Sequence, residues 1–151
     1  MEDNGSRSVA LAQLTELYDE YVAKCEKLEQ EKKPFAGVLG LTKGPADDPC
    51  HERFAQDVGA LLERFRAGEP GSEETRELLR FCYEAPVRHP EPRCAYWMLL
   101  AVHALGLDLI ERLDAGDAAE LYAWYDAAFP RRQRVPVQKK LIERLKKAAA
   151  R

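Results

Sequence analysis

Three observations predict an all-α fold, a compact single-domain bundle of six to seven helices with a long Gly/Pro loop after the first. The aliphatic residues are mostly Ala and Leu, 21 and 19 against 8 Val and 2 Ile. Ala and Leu lose little entropy in a helix, whereas β-branched side chains favour strands. Apolar positions recur at steps of three and four in one segment after another, which gathers them on one helical face. A length of 151 residues suits one domain, and 46% hydrophobic with 32% charged residues supplies both a core and a solvated exterior. Residues 1–7 are polar and are expected to be disordered, leaving 8–151 as the helical domain.

The first helix is predicted from about Ser8 to Lys33, with Leu11, Leu14, Tyr18, Tyr21, Cys25 and Leu28 on its apolar face and Leu17 and Val22 widening it. The heptad spacing is too short-lived for an extended coiled coil, so a bundle helix is expected. Pro34 should end it. Residues 34–49 hold Gly37, Gly40, Gly44, Pro34, Pro45 and Pro49, and read as a loop that Phe35, Val38, Leu39 and Leu41 hold against the helices.

Asp48 as N-cap and Pro49 at the first helical position open the second helix, whose buried face is Phe54, Val58, Leu61, Leu62 and Phe65. Gly68 stops it and Pro70 follows. Ser72 with Glu73 and Glu74 opens the third by capping and by favourable charge at the positive end of the dipole. That helix should end at Pro86, and three prolines mark the turn 86–92. The fourth, Pro92 to Leu105, is apolar nearly all round, including Tyr96, Trp97 and Met98, and is expected at the centre.

Gly106 and Asp108 separate it from a short fifth helix carrying Leu109, Ile110 and Leu113. Past Gly116 a sixth carries Ala118, Leu121, Tyr122, Tyr125 and Phe129 and stops before Pro130; one helix bent near Gly116 is the alternative. A seventh starts near Pro136 with Val137, Leu141, Ile142, Leu145, Ala148 and Ala149 on its apolar side. The octet at 61–68, LLERFRAG, recurs as LIERLDAG at 109–116. No alignment extends beyond these octets, so shared helical vocabulary explains them better than a repeat fold.

Net charge is only −3, but residues 1–129 carry 14 basic and 25 acidic side chains, whereas residues 130–151 carry nine basic residues against Glu143 alone, +8. The basic C-terminal amphipathic helix therefore offers Arg131, Arg132, Arg134, Lys139, Lys140, Lys146 and Lys147 as possible anion-binding residues. Its apolar stripe must also be buried, on its own domain, on a second subunit or on an anionic membrane, in that order of preference.

Chemistry-bearing residues are few. Cys50 beside His51 at a helix start could ionise readily, but neighbours in sequence point about 100° apart on a helix and make a poor acid–base pair. Cys50, His51, Cys82, His89, Cys94 and His103 match no zinc-binding spacing. His103, on an apolar helix, reads as a core imidazole bonded to a neighbour. Acids three apart, such as Glu74 with Glu77 and Glu111 with Asp114, fit caps and solvated faces better than a magnesium site, and GVLGLTKG lacks the Ser or Thr of a phosphate loop. Trp124 should lie partly exposed and is a possible interface residue.

No catalytic, cofactor-binding or metal-binding residue is predicted. The four cysteines are spread through apolar patterns, the first eight residues lack an apolar signal region and no run approaches the roughly 20 residues of a membrane span. The expectation is a cytoplasmic, non-catalytic protein–protein interaction or self-associating module, with a homodimer as one form of it, and with nucleic acid or another polyanion on the basic helix as the alternative.

Overall fold

A computed structural model describes residues 2–39, 49–88 and 102–151, with side chains over 9–27, 52–88 and 102–151. The chain is all-helical, with no strand among the described residues. Its elements are α1 (Glu2–Leu39), α2 (Pro49–Ala67), α3 (Ser72–Arg88), a 3-10 helix Leu107–Arg112, α4 (Ala115–Ala128), a short 3-10 turn Arg131–Gln133 and α5 (Pro136–Ala149). Residues 102–105 are also helical.

The packing order follows from the apolar faces. Leu14, Tyr18, Tyr21 and Cys25 of α1 are buried together with Phe54, Val58, Leu61 and Leu62 of α2. Phe54 stacks on Tyr21 at 4.2 Å between ring centroids and meets Tyr18 edge-on at 5.5 Å. The same Tyr18 ring meets Phe81 of α3 edge-on at 5.2 Å. Helix α3 then packs on α4 and on the 3-10 helix, and α5 packs on both of these. Helix α3 thus lies between α1 and α4, while Arg66 at the end of α2 reaches Asp108 of the 3-10 helix at 3.9 Å.

Four local features differ from expectation. Helix α1 begins at Glu2 instead of Ser8 and continues through Pro34 to Leu39. Proline removes one hydrogen bond, but a helix already nucleated over many turns gains a bond with each further residue and can run past it. The loop expected over 34–49 therefore yields 34–39 to α1, and 40–48, including Asp48, lies outside the described residues.

Helix α3 likewise runs through Pro86 to Arg88. Pro86 is buried, and the apolar side it shares with Cys82, Tyr83 and Ala85 keeps the last turn attached to the core. The short fifth helix is a 3-10 helix, closed by Leu109 N–H to the Gly106 carbonyl and Leu113 N–H to the Ile110 carbonyl, each at 3.1 Å. Leu113 and Asp114 are extended, with ψ of 139° and 160°, so the alternative of one bent helix does not occur.

Ser72 is the fourth difference. Its hydroxyl does not cap its own helix; it accepts from the Asp114 N–H at 2.7 Å and donates to the Asp117 carboxylate. Arg76 binds the other oxygen of Asp117 at 2.8 Å and reaches Glu120 at 3.1 Å. A serine expected to start α3 therefore anchors the start of α4, while Thr75 donates both its N–H and its hydroxyl to the Gly71 carbonyl.

The matching octets take different conformations. LLERFRAG completes α2 and turns at Gly68, which bonds the Arg64 and Phe65 carbonyls, whereas LIERLDAG spans the 3-10 helix, an extended pair and the first turn of α4. Most of the predicted fourth helix, including Tyr96, Trp97 and Met98, lies outside the described residues. Its C-terminal end places Val102 and His103 in the core and leaves Leu105 42% exposed.

Candidate functional site

Two kinds of group can carry function: buried polar side chains, and charges left over at the surface. Among the former, His103 sits fully buried between α3 and α4. The Tyr125 hydroxyl lies 3.1 Å from its Nδ1, and the Tyr83 ring meets it edge-on at 5.2 Å. A neutral imidazole accepts at one nitrogen and donates at the other, so with Tyr125 donating to Nδ1 the proton sits on Nε2. The natural acceptor is the Cys82 carbonyl, which Pro86 deprives of its helical donor because residue 86 has no N–H. That carbonyl favours the protonated ring, yet Nε2 completes no hydrogen bond among the described residues. Burial dominates and lowers the pKa of His103 to about 3.

The other buried groups are equally unreactive. Burial pushes the Cys82 thiol up to about 12, with the Tyr18 hydroxyl beside it pulling weakly the other way. Burial also raises the phenols of Tyr18, Tyr83 and Tyr125. At neutral pH this cluster holds neutral groups away from water. Among the described residues no three His, Cys, Asp or Glu side chains converge as a metal site, and no helix is long and apolar enough to cross a membrane. The side chains of Cys50, His51, His89 and Cys94 lie outside the described residues.

The basic C-terminus divides into internal and external charges. Arg134, only 6% exposed, donates Nε to the Phe129 carbonyl at 2.9 Å and its terminal nitrogen to the carbonyl and carboxylate of Asp126 at 3.3 and 2.6 Å. It thereby binds the negative end of α4. Arg144 pairs with Asp108 at 3.4 Å, and Arg151 reaches Glu111 at 3.2 Å and, at 3.3 and 3.4 Å, the Glu111 and Leu113 carbonyls around the end of the 3-10 helix.

These three arginines tie α5 to its own domain. Leu141, Leu145 and Ala148 are each 0% exposed beneath it. Buried Gln138 returns its Oε1 to the Val135 N–H at 3.0 Å, which completes one half of a capping box at the start of α5. The apolar stripe is therefore occupied within the chain and is not available to a second subunit or a membrane.

The remaining six, Arg131, Arg132, Lys139, Lys140, Lys146 and Lys147, are exposed and make no ion pair among the described residues. At 100° per residue the four lysines flank Glu143 on the side opposite Leu141 and Leu145, in two rows whose members stand about 10 Å apart along the axis. Trp124, the candidate interface residue, is half-buried: the Arg80 guanidinium lies 4.9 Å above its ring, and Tyr125 and Phe129 meet its edges. It does not adjoin the lysine rows, because it belongs to the α3–α4 seam.

A second surface feature escaped the sequence. Along the α1–α2 seam run two hollows of about 290 and 280 Å³ that share Gln13, Leu61 and Arg64. A smaller one continues past Leu17 and Glu20 to Tyr21 and Lys24. Leu17, Leu61 and Phe65 form the floor, and the rim carries Glu16, Glu20, Asp57, Glu69 and Glu74. At one end Glu69 adopts φ 50°, a left-handed conformation that the turn after Gly68 imposes on it. Helical periodicity marked Leu61 and Phe65 as core positions, but it could not show that the two helices diverge enough to leave a groove above them. Compared with known proteins, the chain matched no family model, no curated protein and no solved structure.

Proposed function

We propose that this chain is a non-catalytic protein–protein interaction module, working through charged surfaces that its fold holds apart. One observation carries the reading: α5 buries its apolar stripe in its own domain, and α5 with the turn before it still presents six cations, four on the helix and two on the turn, that make no ion pair among the described residues. A helix needing only to be held in place is already fixed by Arg134, Arg144 and Arg151. The buried imidazole and thiol support a non-catalytic role, since both are neutral and inaccessible at physiological pH.

The test is a photo-crosslinking amino acid placed at position 16 or position 140 of the full chain in living cells. Protein adducts at either position are the expected result, and no adduct at either overturns the reading. A second reading, binding to nucleic acid or another polyanion, draws on the same six cations. It predicts nucleic-acid adducts from position 140 alone and duplex binding that falls steeply as salt rises.

A further inference from the structure

We propose that the lysine face of α5 docks into the α1–α2 groove of a second copy of this chain. The inference rests on the interaction-module reading and names its partner. Size and charge match. The groove runs along α1 from Val9 to Lys24, about 22 Å at the helical rise, and the 14 residues of α5 span about 21 Å. The rim has five carboxylates against Lys24, Arg53 and Arg64, and Arg53 already pairs with Asp57 at 3.3 Å. Glu16, Glu20, Glu69 and Glu74 make no ion pair among the described residues.

Lysine suits such a surface. Its alkyl stem covers apolar area while its ammonium stays in water beside a carboxylate, so Lys139, Lys140, Lys146 and Lys147 can cover Leu17 and Leu61 and still reach the rim. Both surfaces are lysine- or carboxylate-rich and neither is strongly apolar, which makes the contact weak and salt-sensitive.

Helix α5 is held on α4 and the 3-10 helix by its buried Leu141, Leu145 and Ala148, and its lysines lie on the opposite, exposed side. The lysine face of one copy is therefore turned away from its own core and is free to meet the groove of another. Each copy offers one donor and one acceptor surface, so the contact closes as a two-fold dimer where each α5 enters the other copy's groove, and otherwise builds rings or open chains.

The test is a charge swap on the full chain, with mass measured by analytical ultracentrifugation after nuclease treatment. One variant carries Glu16→Lys and Glu20→Lys, so both of its surfaces are basic; the other carries Lys139→Glu, Lys140→Glu, Lys146→Glu and Lys147→Glu, so both are acidic. All six positions are exposed, and circular dichroism checks that each variant keeps its fold. The wild type should associate at about 50 mM salt and dissociate at about 500 mM. Each variant alone should associate about tenfold or more weakly than wild type, and an equimolar mixture should recover association to within about threefold.

A wild type that stays monomeric at low salt, association unmoved by either variant, or a mixture that fails to recover overturns the proposal. A monomeric purified chain that still crosslinks to other proteins from position 140 overturns this inference and leaves the module reading standing. Absence of both results overturns both.

Discussion

Acid should destabilise this protein through His103. The folded pKa, about 3, lies below the unfolded value of 6.5, so between these limits the unfolded chain binds a proton that the folded chain refuses. The contribution of this residue is complete above the unfolded pKa and is lost as pH falls toward the folded one. Each pH unit in that window removes about 1.4 kcal/mol. By about pH 4.5 the loss is about 2.5 kcal/mol, a large part of the roughly 5–15 kcal/mol that holds a domain together. The groups facing the ring do not titrate in this window, since Tyr83, Tyr125 and Cys82 are all shifted upward and the Cys82 carbonyl carries no proton. The assay is urea unfolding followed by circular dichroism at several pH values, run on wild type and on His103→Asn, whose amide oxygen can still accept from Tyr125. The variant should be less stable at neutral pH but should lose less on acidification. Surface carboxylates and the other two histidines contribute alike to both proteins and cancel. Parallel curves for the two proteins from pH 6.5 down to about 4.5 would refute the reasoning.

Four further outcomes follow from particular contacts. Arg134→Ala should cost about 2–3 kcal/mol by urea unfolding, because it strips donors from two carbonyls and a carboxylate at the end of α4, whereas Arg132→Ala should fall within about 0.5 kcal/mol of wild type; equal effects would mean that the Arg134 contacts do not form. Ser72→Ala should lower stability by about 1 kcal/mol through loss of the Asp114 N–H acceptor, and a double-mutant cycle with Asp117→Ala should show coupling between the two side chains. Leu145→Ala should cost about 2–5 kcal/mol if α5 docks as observed, while a near-neutral result would place that helix off the domain. Glu69→Gly should raise the midpoint of unfolding by relieving up to about 1 kcal/mol of left-handed strain, and a lower midpoint would show that the turn conformation differs.

The all-helical class and most apolar faces were legible because they depend on local periodicity. The positions read as core in α1, α2, α4 and α5, Val137 apart, are buried or packed against the core wherever side chains are described. Two of the errors share a cause: each concerned a residue whose local preference was overruled by tertiary contacts. Pro86 breaks one hydrogen bond, yet α3 continues because its last turn is held in the core. Ser72 has the composition of an N-cap, but α4 brings Asp114 and Asp117 within its reach across 42 and 45 residues of chain. The 3-10 geometry of residues 107–112 also cannot be told from an α-helical turn by spacing alone, since both place every third residue on nearly the same side.

The charged C-terminus shows why a site is harder to read than a fold. In sequence, Arg132 and Arg134 are equivalent: the same side chain, two residues apart, in the same basic run. In the structure one is exposed, and the other is almost wholly enclosed and bound to the end of α4. Composition supplies the total of nine cations, but only tertiary contact separates the three that hold the helix down from the six that remain. The separation also changes what the run can do. An unstructured basic arm can wrap any polyanion, because its charges move independently. Lysines fixed by a buried stripe keep a set spacing on one face, and a rigid row of charges favours a partner whose carboxylates are also fixed. The acidic rim of the α1–α2 groove, held by two packed helices, is such a surface.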